Sequence, residues 1–517
     1  MSRVFTEAEL RVAKPLWVLD VSFAGAVWRF ATEAVEINAD GTTLSYLGSL
    51  SGVSFTEQST FGSSDYNLPS ASVTVVFDTD IAELIQQGHD LSGATGELAL
   101  WIPDSDYDDR RVVVSGRAIA ASYGEAGEPV SFNLEPAWLD NSRLYPPPDA
   151  LVDSATWPLA ATGSNGKAYP TVIGAPATGT STTPIYVVDI TAAPPAQIGL
   201  LAGHPVQASS VKIRTSTGAS SIEPVVPALD GLGRAVATVD LSPYNPITGI
   251  TFWAEWTAGG GLASPFSTEL LQPAGEVIRW ALEQTGLKID RGRTIAAQGA
   301  LSGYQLQGFI GETADALEWL KAEVLPLLPV SLAASADGIY PIVWDYDGPP
   351  VARLTAGTDC YRDGQVEYAE NEIRNEISIR WAYDVSTTDY AKRTTITGDT
   401  STAASDILGR SLYTITSHSR YGSRAYEIES SLVADAATAN KILGWQSRAY
   451  AYEHRSISYL CDVSLGWLEA GQIVELTDAS LYISAQRVMV QAIEWGEAEL
   501  AVTFLLIPDP ARDTIKV

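Results

Sequence analysis

Two stretches near opposite ends of the chain repeat one another without a gap: YGEAGEPVSFNLEP at 123–136 and WGEAELAVTFLLIP at 495–508. In each, an aromatic residue, Gly, Glu and Ala lead, and Val-Ser-Phe or Val-Thr-Phe then precedes Leu and Pro. The flanks agree in kind. ELALWIPD, a polar loop and RRVVV come before the first copy; GQIVELTD, a polar loop and QRVMV come before the second. The run from strand to aromatic is four residues longer in the first copy. An even difference leaves the same side chains facing inward, because side chains alternate along a strand with period two. The pattern therefore predicts two related antiparallel β-barrel domains at the two ends of the chain. Unrelated antiparallel hairpins also look alike, so an accidental likeness stays open as the alternative.

The fold class expected is mainly β with a smaller α+β part: two related antiparallel β-barrel domains, an inserted all-β domain and a small α+β domain. Residues 1–140 read as the first barrel, with period-two runs such as TTLSYLGSLSGVSF and SASVTVVFDTD and one short helix ending at Gly88. Residues 141–265 turn rich in Pro, Gly, Ser and Thr between short strand-like pieces, and read as an inserted β-rich domain; TAGGGLASP at 257–265 reads as a linker. Residues 266–370 read as a small α+β domain. AGEVIRWALEQTG places Val277, Ile278, Ala281 and Leu282 on one helical face, TADALEWLKAEVL has Thr313 as its cap, and a hairpin turns at Asp337-Gly338. Residues 371–517 read as the second barrel with one helix, capped by Asp435, after a strand on which Ile377, Ile379, Trp381 and Tyr383 share a face.

Composition narrows the function. Thirty-two Lys and Arg against 62 Asp and Glu give a formal charge of −30, which argues against a nucleic-acid scaffold, since phosphate binding needs clustered cations. No run approaches the ~18 apolar residues of a membrane-spanning helix, and the N-terminal stretch lacks the apolar core of a secretory leader. No membrane insertion is expected, and synthesis in a cytoplasm is.

Chemistry-bearing residues are sparse. His89, His204, His418 and His454 show no metal-ligand spacing. Asp104, Asp106, Asp108 and Asp109 crowd one loop, but the Gly and closing Glu of a calcium loop are missing, and Arg110 and Arg111 follow directly. No nucleophile elbow or phosphate-binding loop occurs. Cys360 and Cys461 are the only cysteines and are expected to be isolated buried thiols, with a single bridge left open. No catalytic, cofactor-binding or metal-binding residue is assigned, and no enzyme activity is expected. The 14 Trp and 22 Tyr suit β-protein cores or a glycan-binding face.

An ordered series of segments resembles the tail hub proteins of long-tailed bacteriophages, the baseplate-hub or tail-tip group with relatives in gene transfer agents and contractile injection machines. The series runs AGEVIRWALEQTG, TADALEWLKAEVLPLLPVSLAASADGIYPIVWDY, the Asn-led strand NEISIRWAYD, then SRYGSRAYEIESSLVADAATANKILGWQSRAY, and closes with LEAGQIVELTD and the last hairpin. It covers roughly 266–507; residues 1–140 join it only through the internal repeat, and 141–265 match nothing in it. The resemblance implies a structural virion component at the tail tip or baseplate: a homotrimer whose six barrels form a near-sixfold ring. It would meet the distal tail protein and tail tube above and a central fibre or spike and other baseplate proteins below. The tape measure protein is a further possible partner, and DNA would pass only in transit through the lumen. The alternative is a β-rich surface protein that binds or cleaves polysaccharide.

Overall fold

A computed structural model describes residues 5–509 except 13, 59–69, 77–78, 124–127, 137–142, 177–181, 192–196, 257–258, 370–372, 399–411 and 497–498. The expected hairpin turn at 125–127 and the expected divisions at 140/141 and 370/371 lie outside the described residues.

After a short helix, α1 (Glu7–Val12), the first part is strands: β1 (Leu16–Phe23), β2 (Ala26–Ala31), β3 (Val35–Ala39), β4 (Thr42–Tyr46), β5 (Leu50–Gln58), β6 (Ala71–Val75), β7 (Thr95–Trp101), β8 (Arg111–Ser122) and β9 (Val130–Pro136). One helix, α2 (Thr79–Gln86), interrupts them. The β1–β2 turn uses Ala24 and Gly25 at φ 50° and 80°, the left-handed pair that a tight hairpin with right-handed twist requires. Along β9, Val130, Phe132, Leu134 and Pro136 point inward and their neighbours do not.

The middle of the chain holds β10 (Leu144–Tyr145), β11 (Thr171–Ile173) and six strands that close into a barrel: β12 (Thr183–Ile190), β13 (Gln197–Ala202), β14 (Ser210–Thr215), β15 (Ser220–Leu229), β16 (Ala235–Asp240) and β17 (Phe252–Glu255). Around the barrel the order is β12-β13-β16-β15-β14-β17. The described part of the stretch read as a linker, 259–265, is packed instead. Gly261 N–H donates to Gly174 O, Leu262 N–H to Val172 O and Gln207 N–H to Gly260 O. A Cβ on Gly260 or Gly261 would lie 2.1 Å from a carbonyl oxygen. The glycines are there for close backbone approach, which a Gly-rich composition does not distinguish from flexibility.

Next come α3 (Ala274–Thr285), ended by Gly286 at φ 71°, and α4 (Arg291–Ala300), capped by Asp290. β18 (Gly308–Ile310) and β19 (Ala314–Asp315) precede α5 (Ala316–Trp319). Its cap is Asp315, which accepts from Leu317 N and Glu318 N, and not Thr313: the carboxylate sits next to the first helical residue and takes both exposed donors. β20 (Val330–Ser335) and β21 (Gly338–Val343) form a hairpin whose connection is Ala336–Asp337, one residue earlier than the sequence suggested, with Gly338 in the strand.

The last part runs β22 (Ala352–Thr355), β23 (Cys360–Ala369), β24 (Glu376–Asp384), β25 (Asp389–Thr397), α6 (Leu412–Tyr421), β26 (Ala425–Glu429), α7 (Ala436–Tyr450), β27 (His454–Cys461), β28 (Ile473–Asp478), β29 (Ile483–Trp495) and β30 (Leu500–Leu506). Ile377, Ile379 and Ala382 of β24 pack with Val277, Ile278 and Leu282 of α3 and with Ile442 and Leu443 of α7 in one apolar cluster. Asp435 caps α7, accepting from Thr438 N at 2.8 Å and from Thr438 Oγ1 at 2.8 Å. Asp435→Ala is expected to cost about 1 kcal/mol, read as a shift in the chemical-denaturation midpoint.

The two ends share one plan. Numbered within each end in chain order, β1, β5, β6, β7, β8 and β9 match β22, β23, β27, β28, β29 and β30. Both sets lie in the sheet as first-fourth-fifth-sixth-third-second: β1-β7-β8-β9-β6-β5 and β22-β28-β29-β30-β27-β23. Phe132 faces Val73 across β9 and β6, and Phe504 faces Ile457 across β30 and β27. Gly93 N–H donates to Ala118 O, and Gly471 N–H donates to Val490 O. Both glycines have φ near 89°, and Ala118 and Val490 stand at the same spacing as Tyr123 and Trp495. One pairing departs from the plan: β1 meets β7 antiparallel, whereas β22 meets β28 parallel. The first repeat inserts β2–β4 after its first strand, and the second inserts β24–β26 with α6 and α7 after its second.

The two repeats are not separate bodies. β5 pairs with the last residues of β29, Phe55 opposite Trp495, and this fuses them into one 13-stranded sheet. Phe5 through Leu134 and Leu354 through Phe504 contribute to a single apolar core.

Candidate functional site

The seam between the repeats is closely packed. Trp495 closes β29 and is 1% exposed. Its ring meets Trp17 edge to face, centroids 6.2 Å apart at 84°, the geometry the ring quadrupoles favour. The Arg111 guanidinium lies 5.7 Å from the Trp495 ring centre and donates to Gly466 O at 2.9 Å. Trp17 Nε1–H donates to Gly496 O. A Cβ on Gly466 would fall 2.0 Å from Trp495 Cη2, so the indole and the absent side chain fit each other. The matching aromatic of the first repeat behaves differently. Tyr123 is 40% exposed; its hydroxyl donates to Asp90 Oδ1 and accepts from Leu91 N–H.

The chemistry-bearing residues of the sequence do not converge. Among the described residues no group of three or more His, Cys, Asp or Glu is placed to hold a metal ion. Arg110 leaves the Asp104–Asp109 loop for Asp20 and Glu97, with its guanidinium stacked 3.7 Å from the Tyr107 ring centre; Arg111 goes to the seam. His89 packs against Phe23. His204 accepts from Val172 N–H through Nε2 and donates through Nδ1 to Pro205 O, which fixes the neutral tautomer. His418 lies on α6.

His454 donates through Nε2 to Ala449 O at 2.6 Å. Desolvation pushes its pKa down to about 4 and the nearby Arg374 charge acts the same way. The folded value lies below the unfolded one, so the stability this neutral ring contributes is complete above pH 6.5. It is lost as pH falls toward 4, up to about 3 kcal/mol. The stability difference between the native chain and His454→Gln is therefore expected to change across that window; a flat difference contradicts this.

Cys360 and Cys461 stand directly opposite each other on β23 and β27, both buried and both free thiols. The hydrogen bond between them, and then burial, push the Cys461 thiol up.

A cavity of about 710 Å³ opens at the mouth of the inserted barrel, where β12 diverges from β17. Among the described residues its lining includes Ser164, Tyr186, Gln197, Asn245 and Thr248 and no Asp, Glu, Lys, Arg or His. Gln197 is 7% exposed, and its Oε1 has no hydrogen-bond partner. The sequence offered no signal for this cavity beyond the loop-rich texture of 141–265.

No protein-family model and no curated protein matches the chain. Among solved structures it is similar to the tail protein from Neisseria meningitidis MC58, at 10% identity over 95% of this chain and 97% of that one, TM-score 0.40. It is similar to the 43 kDa tail protein of prophage MuSo2 from Shewanella oneidensis, at 9% identity over 95% and 97%, TM-score 0.41. A chain of a native gene transfer agent virion is similar at 16% identity over 72% and 85%, TM-score 0.36. What the chain is similar to, in all three, is a component of a tail or a virion. Scores this low fix no role, so the functional reading rests on this chain's own architecture. No helix among the described residues is long and apolar enough to cross a membrane.

Proposed function

We propose that this chain is the structural, non-enzymatic tail hub of a tailed bacteriophage or a related particle, a homotrimer forming a pseudo-sixfold ring at the tail tip. One observation carries the reading: the two ends of the chain present the same six-strand order. Three copies around an axis then offer six similar six-strand units, two fused in the sheet of each chain, which lets a threefold object meet a sixfold one. The sixfold side suits the tail tube and distal tail protein, and the threefold side a central fibre or spike. Residues 1–140 serve as first barrel and 141–265 as insertion; of the proposed α+β part, 266–370, and second barrel, 371–517, β22 and β23 join the second barrel from before 371, while β24 and α7 pack with the α+β part from after it. The charge of −30 fits a lumen that DNA crosses without sticking, since like charges repel. Quantitative mass spectrometry of purified particles tests the stoichiometry: three copies per tail are expected, and six or one removes the reading.

The barrel-mouth cavity favours a second reading, polysaccharide binding. Between apolar walls that include Ile185, Ile190, Ile247 and Phe252 the lining carries hydroxyls, amides and one tyrosine; this uncharged mixture suits a neutral saccharide, and Gln197 Oε1 offers an acceptor for a sugar hydroxyl. Calorimetric titration with neutral oligosaccharides of a bacterial surface glycan, native chain against Gln197→Leu, tests it. Heat that the variant abolishes supports this reading; no heat with either removes it.

A further inference from the structure

We propose that Cys360 and Cys461 form a modification site: on meeting a small disulfide such as oxidised glutathione they join as a cross-strand disulfide, which staples the long insertion of the second repeat into its sheet. The proposal goes beyond the hub reading and does not depend on it.

Placement carries the inference. The chain has two cysteines in 517 residues, and the fold sets them directly opposite each other on the antiparallel strands β23 and β27. The pairing is regular there, with Tyr361 opposite Leu460 and Arg362 opposite Tyr459. Opposed residues of an antiparallel pair are of two kinds, and side chains come closest in the kind that shares no backbone hydrogen bond. Cys360 is of that kind. Gly357 N–H donates to Cys360 O at 2.8 Å, so the Cys360 carbonyl turns away from β27. The Cα atoms of such a pair stand about 4.5 Å apart, inside the roughly 4.4–6.8 Å that disulfides span. Both side chains point into the core that the two repeats share, and the two thiols already share a hydrogen bond. Closure therefore needs side-chain rotation and no shift of either strand.

A second observation says what the bond does. In the first repeat β5 ends at Gln58 and β6 starts at Ala71, whereas their counterparts β23 and β27 are separated by β24–β26, α6 and α7. Closing a loop of about a hundred residues costs more chain entropy than closing a short one. A disulfide across its ends removes that cost from the unfolded chain, and the gain grows with loop length. The cysteines stand in the repeat that has the long loop to close.

The step balances as two exchanges. The Cys360 thiolate attacks one sulfur of oxidised glutathione and releases one reduced glutathione; the Cys461 thiolate then attacks Cys360 Sγ in the mixed disulfide and releases the second. Two protein thiols are oxidised, one small disulfide is reduced, and the two thiol protons leave on the released glutathiones. The hydrogen bond from Cys461 lowers the Cys360 thiol, which makes Cys360 the first nucleophile. Both thiols are buried, so exchange waits on local opening.

The test holds the full chain in glutathione buffers from fully reduced to fully oxidised, with urea below the unfolding transition to admit the reagent, until readings approached from both sides agree. Acid quenching, alkylation in denaturant and intact-mass spectrometry then count free thiols. In oxidised buffer the native chain is expected to lose both free thiols without gaining glutathione, peptide mapping to recover Cys360 joined to Cys461, and the urea midpoint to rise until dithiothreitol returns it. Cys360→Ala and Cys461→Ala keep one free or glutathione-capped thiol, and their midpoints should not follow the buffer. Two free thiols, two glutathione caps or a bond between chains overturns the proposal; a bond within the chain that leaves the midpoint unchanged or lowers it overturns the staple. None of these outcomes bears on copy number in the particle, so the hub reading stands or falls separately.

Discussion

Trp495→Ala is expected to destabilise the folded chain by about 3–5 kcal/mol, the range for emptying a fully buried tryptophan site. Several contacts are lost together. The Trp17 edge loses its partner face, Arg111 keeps its bond to Gly466 O but loses the ring beneath it, and the space left at Gly466 has no side chain to fill it. Trp495 also sits where β29 and β5 join the two repeats, so the loss falls on the seam and not on one hairpin. Trp495 Nε1 has no hydrogen-bond partner, which makes Trp495→Phe the informative control: it keeps a ring in the site and should recover more than half of the loss. Urea unfolding followed by near-ultraviolet circular dichroism reads both. A Trp495→Ala chain within 1 kcal/mol of the native one contradicts the seam as described.

Gly116→Ala is expected to cost about 3 kcal/mol or more, at or beyond the upper end for overpacking. Gly116 of β8 lies opposite Pro136 of β9, and a Cβ there would stand 1.7 Å from Glu135 O and 2.8 Å from Pro136 Cα. These are backbone atoms, so no rotamer change relieves the clash; β9 must move off β8, and with it the register that Phe132 holds against Val73. Gly299→Ala provides the contrast. That glycine lies in α4, and a Cβ on it would meet nothing within 4 Å, so alanine should stabilise by about 0.5–1 kcal/mol through helix propensity and a less flexible unfolded chain. Equal effects at the two positions would falsify the steric account of Gly116.

The repeat was legible because strand alternation and the Val-x-Phe pattern are local; the strand order recurs, although the hairpin register slips by two residues, Ser122 lying opposite Ser131 and Glu494 opposite Ala501, an even slip that keeps the same side chains inward. Helices α3 and α7 were legible for the same reason: apolar residues at helical spacing, with Gly286 and Asp435 marking an end and a start. α4 was not. Its RGRTIAAQGA buries only Thr294 and Ala297, so no apolar stripe announces it. Thr313 and Asp315 both offer capping oxygens, and only the backbone path chooses between them. The seam was out of reach for a deeper reason. Trp17 and Trp495, Arg111 and Gly466 are distant in sequence, and sheet-edge addition is decided by which backbone groups remain unpaired once each repeat has folded. The cavity at the barrel mouth depends in the same way on where β12 leaves β17, which no residue type signals.

The central claim is that one chain presents two equivalent six-strand halves of one sheet, so that three chains make six such units. A cryo-electron microscopy reconstruction of the intact particle, refined without imposed symmetry, tests it most directly. The account predicts three copies of this chain around the tail axis, with the β8–β9 and β29–β30 hairpins alternating at near-equal angles around one ring. Six copies, or three whose two terminal repeats lie at different distances from the axis, would contradict it.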